Sequence, residues 1–108
     1  MAIEFTDQLT FNFDPTSGQV QALTIRTPPF RGNVVRAQAM LKGFDIRYTN
    51  GDHHVLREEI DLDVSLDPAH PNTVLVQANF LLRDSSGNID DPFAGRVEAV
   101  VIAQTTAA

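Results

Sequence analysis

The sequence predicts an all-β fold, an antiparallel β-sandwich of six to seven strands that occupies residues 1–108 as a single domain. About six or seven short runs alternate apolar and polar side chains, and clusters of Gly, Pro, Asn and Asp separate them at nearly regular spacing. No segment carries a convincing helical periodicity. A chain of 108 residues with 43% hydrophobic content is too short for two ordinary domains but can bury one core. A β-barrel is the alternative architecture.

Two strands are predicted in the first quarter of the chain. In the first, residues 9–13, a leucine and two phenylalanines share one face because side chains alternate along a strand. The cluster 14–18 ends this strand, since aspartate, proline and glycine together favour a turn. The second strand covers 19–26 and leaves the sheet near Pro28 and Pro29, which lack the backbone donor that a ladder needs.

The middle of the chain predicts a hairpin. The apolar stretch 34–48 is long for one strand and contains Gly43, which predicts either two strands or one strand bent by a bulge. The Asn-Gly pair at 50–51 is typical of a type I′ turn, and the alternating run 60–66 forms the return arm. Helix competes over 57–62, but the alternation continues through it without capping residues, so we predict a strand.

The last two predicted strands, 73–82 and 95–104, carry apolar residues on both faces. A strand of this kind lies at the centre of a sheet or against another subunit. We therefore expect a homo-oligomer in which one face fills the core and a neighbouring chain covers the other. The apolar residues on the second faces are Leu75, Leu81, Val100 and Ile102.

The charge and composition exclude several classes of protein. With 14 acidic and 8 basic residues, the net charge of −6 argues against nucleic acid or an anionic membrane as the main partner. The absence of cysteine excludes thiol nucleophiles and thiolate metal sites. The first residues lack the basic and apolar regions of a signal peptide and no long apolar run follows, so the default expectation is a soluble cytoplasmic protein.

Three segments resemble H-type lectin domains. LKGFDIRY, residues 41–48, resembles the Gly-Phe-Asp segment of that family, and VEAVVIA, residues 97–103, resembles its closing strand. Residues 73–83 occupy the place of the penultimate strand, so the resemblance covers about 20–103. It implies an H-type-lectin-like β-sandwich that forms trimers, often hexamers, and binds galactose-type sugars near subunit contacts.

The resemblance also indicates where a sugar would bind. The family's site uses an aromatic residue and polar neighbours late in the penultimate strand and in the next loop, a region that reads LLRDSSGNID at 81–90. The candidate carbohydrate-binding residues are Arg83, Asp84 and Asn88, whose donors and acceptors suit sugar hydroxyls. The chain contains no tryptophan, so the family's stacking platform is missing. This departure favours a module that has lost the sugar site.

The same loop has weak features of a calcium site. Asp84, Ser86, Asn88 and Asp90 place oxygen atoms at every second position, which suits a hard cation such as Ca²⁺. However, the glycine of this loop stands fourth rather than sixth, and its twelfth residue is glycine rather than a bidentate glutamate. A solvated turn is therefore the favoured interpretation.

The histidines and the paired carboxylates give no strong site. His53 and His54 are neighbours that point to opposite faces of a strand, so only a three-fold axis with one histidine per chain would allow them a zinc site. Glu58 and Glu59 are expected to diverge to opposite faces for the same reason. Because no nucleophile elbow, phosphate loop or metalloprotease signature is present, we predict that the protein is not an enzyme.

Two further acids lie on one strand face. Asp61 and Asp63 are expected to pair with an arginine across the sheet, the candidates being Arg36, Arg47 and Arg57.

These observations leave three functional hypotheses. The first is a non-enzymatic, oligomeric, lectin-like module in which symmetry multiplies weak sugar sites. The second is a structural or assembly β-sandwich without a sugar site. The third is a small enzyme or metal-dependent protein that uses the loop 84–91.

Overall fold

The all-β prediction is confirmed. A computed structural model describes residues 1–16, 20–49, 55–84 and 93–108, without the side chains of 16, 55–57, 83 and 84. These residues form strands and connecting turns, and among them no helix is present that could span a membrane. The strands are β1 (Ala2–Phe5), β2 (Leu9–Thr16), β3 (Gln21–Arg26), β4 (Val34–Tyr48), β5 (Val55–Leu66), β6 (Val74–Asp84) and β7 (Phe93–Thr105).

The strands form two antiparallel sheets that share one core, the arrangement of a β-sandwich. In the first sheet β7 is central, with β4 on one edge and β1 and β2 end to end on the other. In the second sheet β6 lies between β3 and β5. The core contains residues from both sheets and Phe30 from the connection between β3 and β4. Its members are Leu9, Phe11, Phe13, Phe30, Val74, Val76, Ala78, Phe80, Leu81, Leu82, Phe93, Val97, Ala99, Val101 and Ala103.

The aromatic centre of the core joins the two sheets. The ring of Phe80 lies 4.0 Å from that of Phe13 and 5.4 Å from that of Phe93, both in edge-to-face geometry. Near this cluster, the amide Nε2 of Gln21 in β3 donates a 2.8 Å hydrogen bond to the carbonyl oxygen of Phe93 in β7. Apolar packing and one buried polar contact therefore hold the sheets together at this end.

The central positions of β6 and β7 explain why both strands are apolar on two faces. Each strand is paired along both of its edges. Of the two positions expected for such a strand, the centre of a sheet or a contact with another subunit, the first is confirmed. Leu81 is buried on the outer face of β6 within a single chain. In contrast, Val100 and Ile102 on the outer face of β7 are only half-buried.

The predicted hairpin is wrong. The strands on either side of the Asn-Gly pair lie in different sheets, because β4 pairs with β7 and β5 pairs with β6; residues 50–54 lie outside the described residues. A turn signal specifies only a reversal of the chain, whereas the partner of each strand depends on where its apolar face is buried. Ile60, Leu62 and Val64 of β5 pack against the common core from the second sheet. The strand predicted over 57–62 is confirmed.

The stretch 34–48 is one strand with two irregularities. An extra residue interrupts its pairing with β7 at Val35 and again at Lys42, directly before Gly43. The bulged-strand alternative is thus confirmed near Gly43, and the two-strand alternative is wrong. β2 likewise continues through Asp14 and Pro15, where the register shifts, because an edge strand tolerates proline at a bulge. The predicted end of this strand at residue 14 is therefore wrong.

The strand β1 was not predicted. It pairs with the last residues of β7, and the link to β2 places the three residues 6–8 opposite the two residues 100–101. β1 and β2 therefore form one edge strand interrupted by an extra residue. The alternation of β1 is reversed relative to the core, since Glu4 lies opposite buried Ala103 and Phe5 lies opposite Ile102 on the outer face.

The predicted cross-strand partners of Asp61 and Asp63 are wrong for all three arginines. The register of β5 on β6 places Asn79 opposite Asp61 and Gln77 opposite Asp63. The arginines at 36 and 47 belong to β4, in the other sheet. Arg57 belongs to β5 itself, the strand that carries both acids, so it does not lie across the sheet from them. Amide side chains therefore face these two acids across the sheet.

Candidate functional site

The outer face of the first sheet carries a continuous apolar surface, which we call the outer patch: Ile3, Phe5, Met40, Val100 and Ile102. Pairing brings these residues together from three strands, because Phe5 lies opposite Ile102 and Met40 lies opposite Val100. The exposed fractions are 60% for Ile3, 65% for Phe5 and 46% for Met40. An exposed apolar surface on the face of a sheet is typical of an interaction site.

Polar side chains border the outer patch. At one end the guanidinium Nε of Arg36 donates a 2.8 Å hydrogen bond to the side-chain oxygen of Gln104. At the other end the Lys42 ammonium donates to the side-chain oxygen of Gln8. A shallow groove of about 350 Å³ has Ile3 and Ile102 in its lining, together with the polar side chains of Arg36, Gln38 and Gln104. An apolar centre with a polar border is the usual anatomy of a protein interface.

Beyond Lys42 the same sheet carries a polar groove, which we call the loop-end groove. It has a volume of about 340 Å³, and its lining includes Asn12, Arg47, Thr49 and Arg96. Asn12 and Arg96 face each other across β2 and β7, while Arg47 projects from β4 opposite Ala94. The groove therefore presents amide, hydroxyl and guanidinium groups on a single sheet surface.

Ion pairs with Asp45 and Glu98 position the two arginines of the loop-end groove, Arg47 and Arg96. Asp45 Oδ2 lies 3.3 Å from Arg47 Nη1 and 3.4 Å from Arg96 Nη1. Arg96 Nε also donates a 2.9 Å hydrogen bond to Glu98. This bond and the negative charge of Glu98 raise the pKa of Arg96 above its ordinary value, so the guanidinium stays charged. The orientation of Arg96 is thus fixed, while the guanidinium of Arg47 has one donor within 3.3 Å of Asp45 and lines the groove.

Of the predicted sugar and calcium residues, only the backbones of Arg83 and Asp84 belong to the described residues. Arg83 and Asp84 end β6, where Asp84 pairs with Val55, and the predicted loop therefore begins after residue 84. Ser86, Asn88 and Asp90 fall in 85–92, outside the described residues. The sugar site and the calcium site both remain predictions.

The described residues provide no ready metal centre. They contain no group of three or more His, Asp or Glu side chains arranged to hold an ion. His70 lies in the turn after β5, where its Nδ1 is 3.2 Å from Asp67 Oδ2. His53 and His54 lie in the part of the chain that is not described, so the three-fold zinc site is untested. Glu58 and Glu59 occupy alternate faces, as predicted, opposite Leu82 and Leu81.

Two residues of the outer patch were missed in the sequence. Ile3 and Phe5 alternate with Ala2 and Glu4, which is a strand signal, but the run is short and terminal. Its apolar residues point away from the core, whereas alternation in the sequence is normally interpreted as an apolar face that points toward the core. The half-exposed Val100 and Ile102 were predicted as an outer apolar face.

Comparisons with known proteins give no relative: no family model, no curated protein and no solved structure matches the chain. The resemblance to H-type lectins therefore depends on the sequence patterns of three strands, which correspond to parts of β4, β6 and β7.

Proposed function

We propose that this protein is a non-enzymatic assembly module, a β-sandwich that joins copies of itself through the outer patch. The observation that supports this proposal is the exposure of Ile3, Phe5 and Met40 beside the half-buried Val100 and Ile102. Five apolar side chains from β1, β4 and β7 form one surface, and the polar network of the loop-end groove lies beyond it. This is the second of the hypotheses drawn from the sequence.

The edges of the sheets are poor sites for joining copies, which favours the face. Extra residues interrupt the β4 edge at Val35 and Lys42, the β5 edge between residues 55 and 57, and the β1–β2 edge at 6–8. Bulges and a lysine at an edge disfavour the pairing of an additional strand. The remaining edge strand, β3, has only six residues and is followed by Pro28 and Pro29. Association through the outer face needs no unpaired backbone.

The apolar area gives association a sufficient driving force. Complete burial of a large apolar side chain contributes about 1.5–3 kcal/mol, and Ile3 and Phe5 are each more than half exposed. Each of these two side chains therefore adds about 1–2 kcal/mol when a second copy covers it. Met40, Val100 and Ile102 add smaller amounts because they are already partly buried.

The test is a matched pair of phenylalanine variants. Phe5→Ser removes an aromatic side chain from the outer patch, and we expect it to weaken self-association by about tenfold or more. Phe44→Ser is the control, because Phe44 is also half exposed, at 47%, but lies on β4 opposite Val97 and outside the outer patch. Sedimentation velocity over a wide range of concentrations measures the association and the number of copies.

Two results would contradict this proposal. A wild-type chain that stays monomeric at every concentration removes its basis. An equal loss of association in both phenylalanine variants assigns the effect to general destabilisation rather than to the outer patch.

Carbohydrate binding is the second candidate function, and the loop-end groove supports it. Sugar hydroxyls need fixed donors and acceptors, which Asn12, Thr49 and the guanidinium of Arg47 supply on one surface. The ends of the predicted sugar-binding loop, residues 84 and 93, lie at the same end of the sheets. Self-association would then multiply weak sites, as the resemblance to H-type lectins implies.

A glycan array with the intact oligomer tests this second candidate. Arg47→Ala removes an exposed guanidinium from the groove, and we expect it to reduce glycan binding by about tenfold, the effect of losing hydrogen bonds to a charged group. Lys42→Ala removes the same charge outside the groove lining, at the border of the outer patch, and should bind like the wild type once sedimentation velocity shows that it associates like the wild type. Absence of glycan binding by the associated wild type would contradict the lectin hypothesis and leave the assembly proposal intact.

A further inference from the structure

The strand β1, which supplies Ile3 and Phe5 to the outer patch, has few attachments of its own. Among the described strands it pairs with β7 alone, over four residues at the edge of the sheet. One further contact continues this ladder, since the amide of Thr6 donates a 3.0 Å hydrogen bond to the carbonyl of Val101. The position of two of the five side chains of the outer patch therefore depends on a short edge strand.

A single carboxylate ties this strand to two other segments, an arrangement that we call the Glu4 anchor: Glu4, Arg31, Gly32 and Thr105. Glu4 Oε1 accepts a 2.9 Å hydrogen bond from the amide of Arg31, and Oε2 accepts one of 3.3 Å from the amide of Gly32. The hydroxyl of Thr105, at the end of β7, donates to the same Oε2. The Arg31 guanidinium Nε lies 3.6 Å from Oε1 and is the charged group that faces the carboxylate.

The buried hydrogen-bond donors of this anchor have limited access to water as an alternative acceptor. Thr105 is fully buried and Gly32 is buried as well. Gly32 fits closely against the C-terminal segment, since a Cβ at this position would lie 2.3 Å from the amide nitrogen of Ala107. The Glu4 side chain itself is only 11% exposed. Because water has limited access to Thr105 and Gly32, the carboxylate is the acceptor on which these two donors depend.

We propose that the ionised Glu4 carboxylate holds β1 against β7 and the 31–32 segment, and that self-association through the outer patch is lost when this carboxylate becomes neutral. This inference rests on the proposed function. A neutral acid accepts hydrogen bonds more weakly than a carboxylate, so the contacts to Arg31, Gly32 and Thr105 weaken together. Ile3 and Phe5 then leave the outer patch with the rest of β1, and the surface that a second copy recognises is incomplete.

The direction of the pH effect follows from the same contacts. The hydroxyl of Thr105 and the amide of Arg31 hold the pKa of Glu4 below its ordinary value of 4.5, the amide of Gly32 and the Arg31 charge act in the same direction, and partial burial opposes them. Because the folded-state pKa is depressed, the stabilising contribution is complete above pH 4.5 and is lost as the pH falls through the folded-state value.

The test compares two variants that remove the same charge at neutral pH. Glu4→Gln leaves a neutral amide in the anchor, and we expect association about tenfold or more weaker in sedimentation velocity. We also expect the backbone amides of β1 to lose hydrogen-exchange protection while those of β6 keep it, which a global loss of structure would not produce. Asp61→Asn is the control, because Asp61 is exposed on the other sheet and faces Asn79.

The wild type itself provides a reversible measurement if Glu4→Gln does not fold. Association is followed as the pH is lowered through 4.5, with aromatic circular dichroism as the measure of the core. Loss of association before loss of the core signal supports the anchor. Association that persists until the core unfolds, or a Glu4→Gln protein that associates like the wild type, overturns this inference alone. A wild type that never associates overturns the proposed function as well.

Discussion

Individual glycines are decisive where two backbones approach closely. At Gly95 in β7 a Cβ would lie 1.9 Å from the carbonyl oxygen of Asp45 in β4, and this oxygen belongs to a paired strand that cannot easily move. At Gly43 a Cβ would meet only the flexible carboxylate of Glu98, at 3.4 Å. The two glycines therefore occur in the same pair of strands for different reasons. Glycine is required at position 95 because the backbone of Asp45 leaves no space for a Cβ, whereas Gly43 directly follows a bulge and has space for one.

The glycine pair gives a prediction about stability. We expect Gly95→Ala to lower the free energy of unfolding by about 3 kcal/mol, the upper end of the usual cost of overpacking. We expect Gly43→Ala to change it by less than about 1 kcal/mol, because the Glu98 side chain can shift by a few tenths of an ångström. Urea denaturation followed by circular dichroism measures both. Equal effects of the two substitutions would contradict the steric argument.

Among the elements, the turn between β5 and β6 is held by side chains rather than by a standard hairpin. Asp67 Oδ1 accepts a hydrogen bond of 3.0 Å from the amide of Ala69, and its Oδ2 pairs with Arg26 Nη2 at 2.9 Å. Arg26 Nη1 also donates to the hydroxyl of Thr73, 2.9 Å away, and thus ties β3 to the turn. The Arg26 contact, followed by the Ala69 amide and His70, lowers the pKa of Asp67 below its ordinary value of 3.8.

This turn predicts a specific dependence on pH. Because the folded-state pKa of Asp67 is depressed, its contribution is complete above pH 3.8 and is lost as the pH falls through the folded-state value. Asp67→Asn should therefore lower the midpoint of thermal unfolding at pH 7, and the difference from the wild type should shrink below pH 3.8. Asp63→Asn, an exposed acid opposite Gln77, serves as the control. A difference that stays constant with pH would argue against the Arg26 pair as its cause.

The bulges and the sheet membership of the strands were harder to predict than the residues that each strand turns toward the core. The inner faces of β2, β6 and β7 follow directly from alternation in the sequence. The extra residues at Val35, Lys42 and 6–8 do not, because a bulge exists only relative to a partner strand. The hairpin prediction was wrong for a related reason. The Asn-Gly pair indicates a local turn, whereas the sheet that each strand joins depends on contacts with distant residues.

The molecule as a whole is elongated. Its extents are 53 × 23 × 18 Å and its radius of gyration is 16.2 Å, against about 13 Å for a compact domain of this length. Long strands such as β4 and β7 account for this shape, because they run along the longest dimension. The outer face of the first sheet is therefore long enough to carry an apolar surface and a polar groove side by side. Assembly through one and ligand binding at the other are geometrically compatible.

The extent to which the functional surfaces could be predicted depends on how many strands each one combines. Val100 and Ile102 lie in one strand, and their outward position was expected from alternation alone. The loop-end groove combines Asn12, Arg47 and Arg96 from three strands and has no signal in the sequence. The candidate sugar and calcium residues in 85–92 lie outside the described residues, so these expectations stay predictions.

The amino-acid sequence by itself determined the all-β class and the inner faces of most strands, because alternation with period two is a local property of the chain. Only the tertiary structure decided that β4 and β5 occupy different sheets and that β1 joins the edge of β7. The hydrogen bond between Glu4 and Thr105 joins residues 101 positions apart, and the outer patch likewise combines the two ends of the chain. Such contacts are selected by the burial of whole faces, which no short segment specifies.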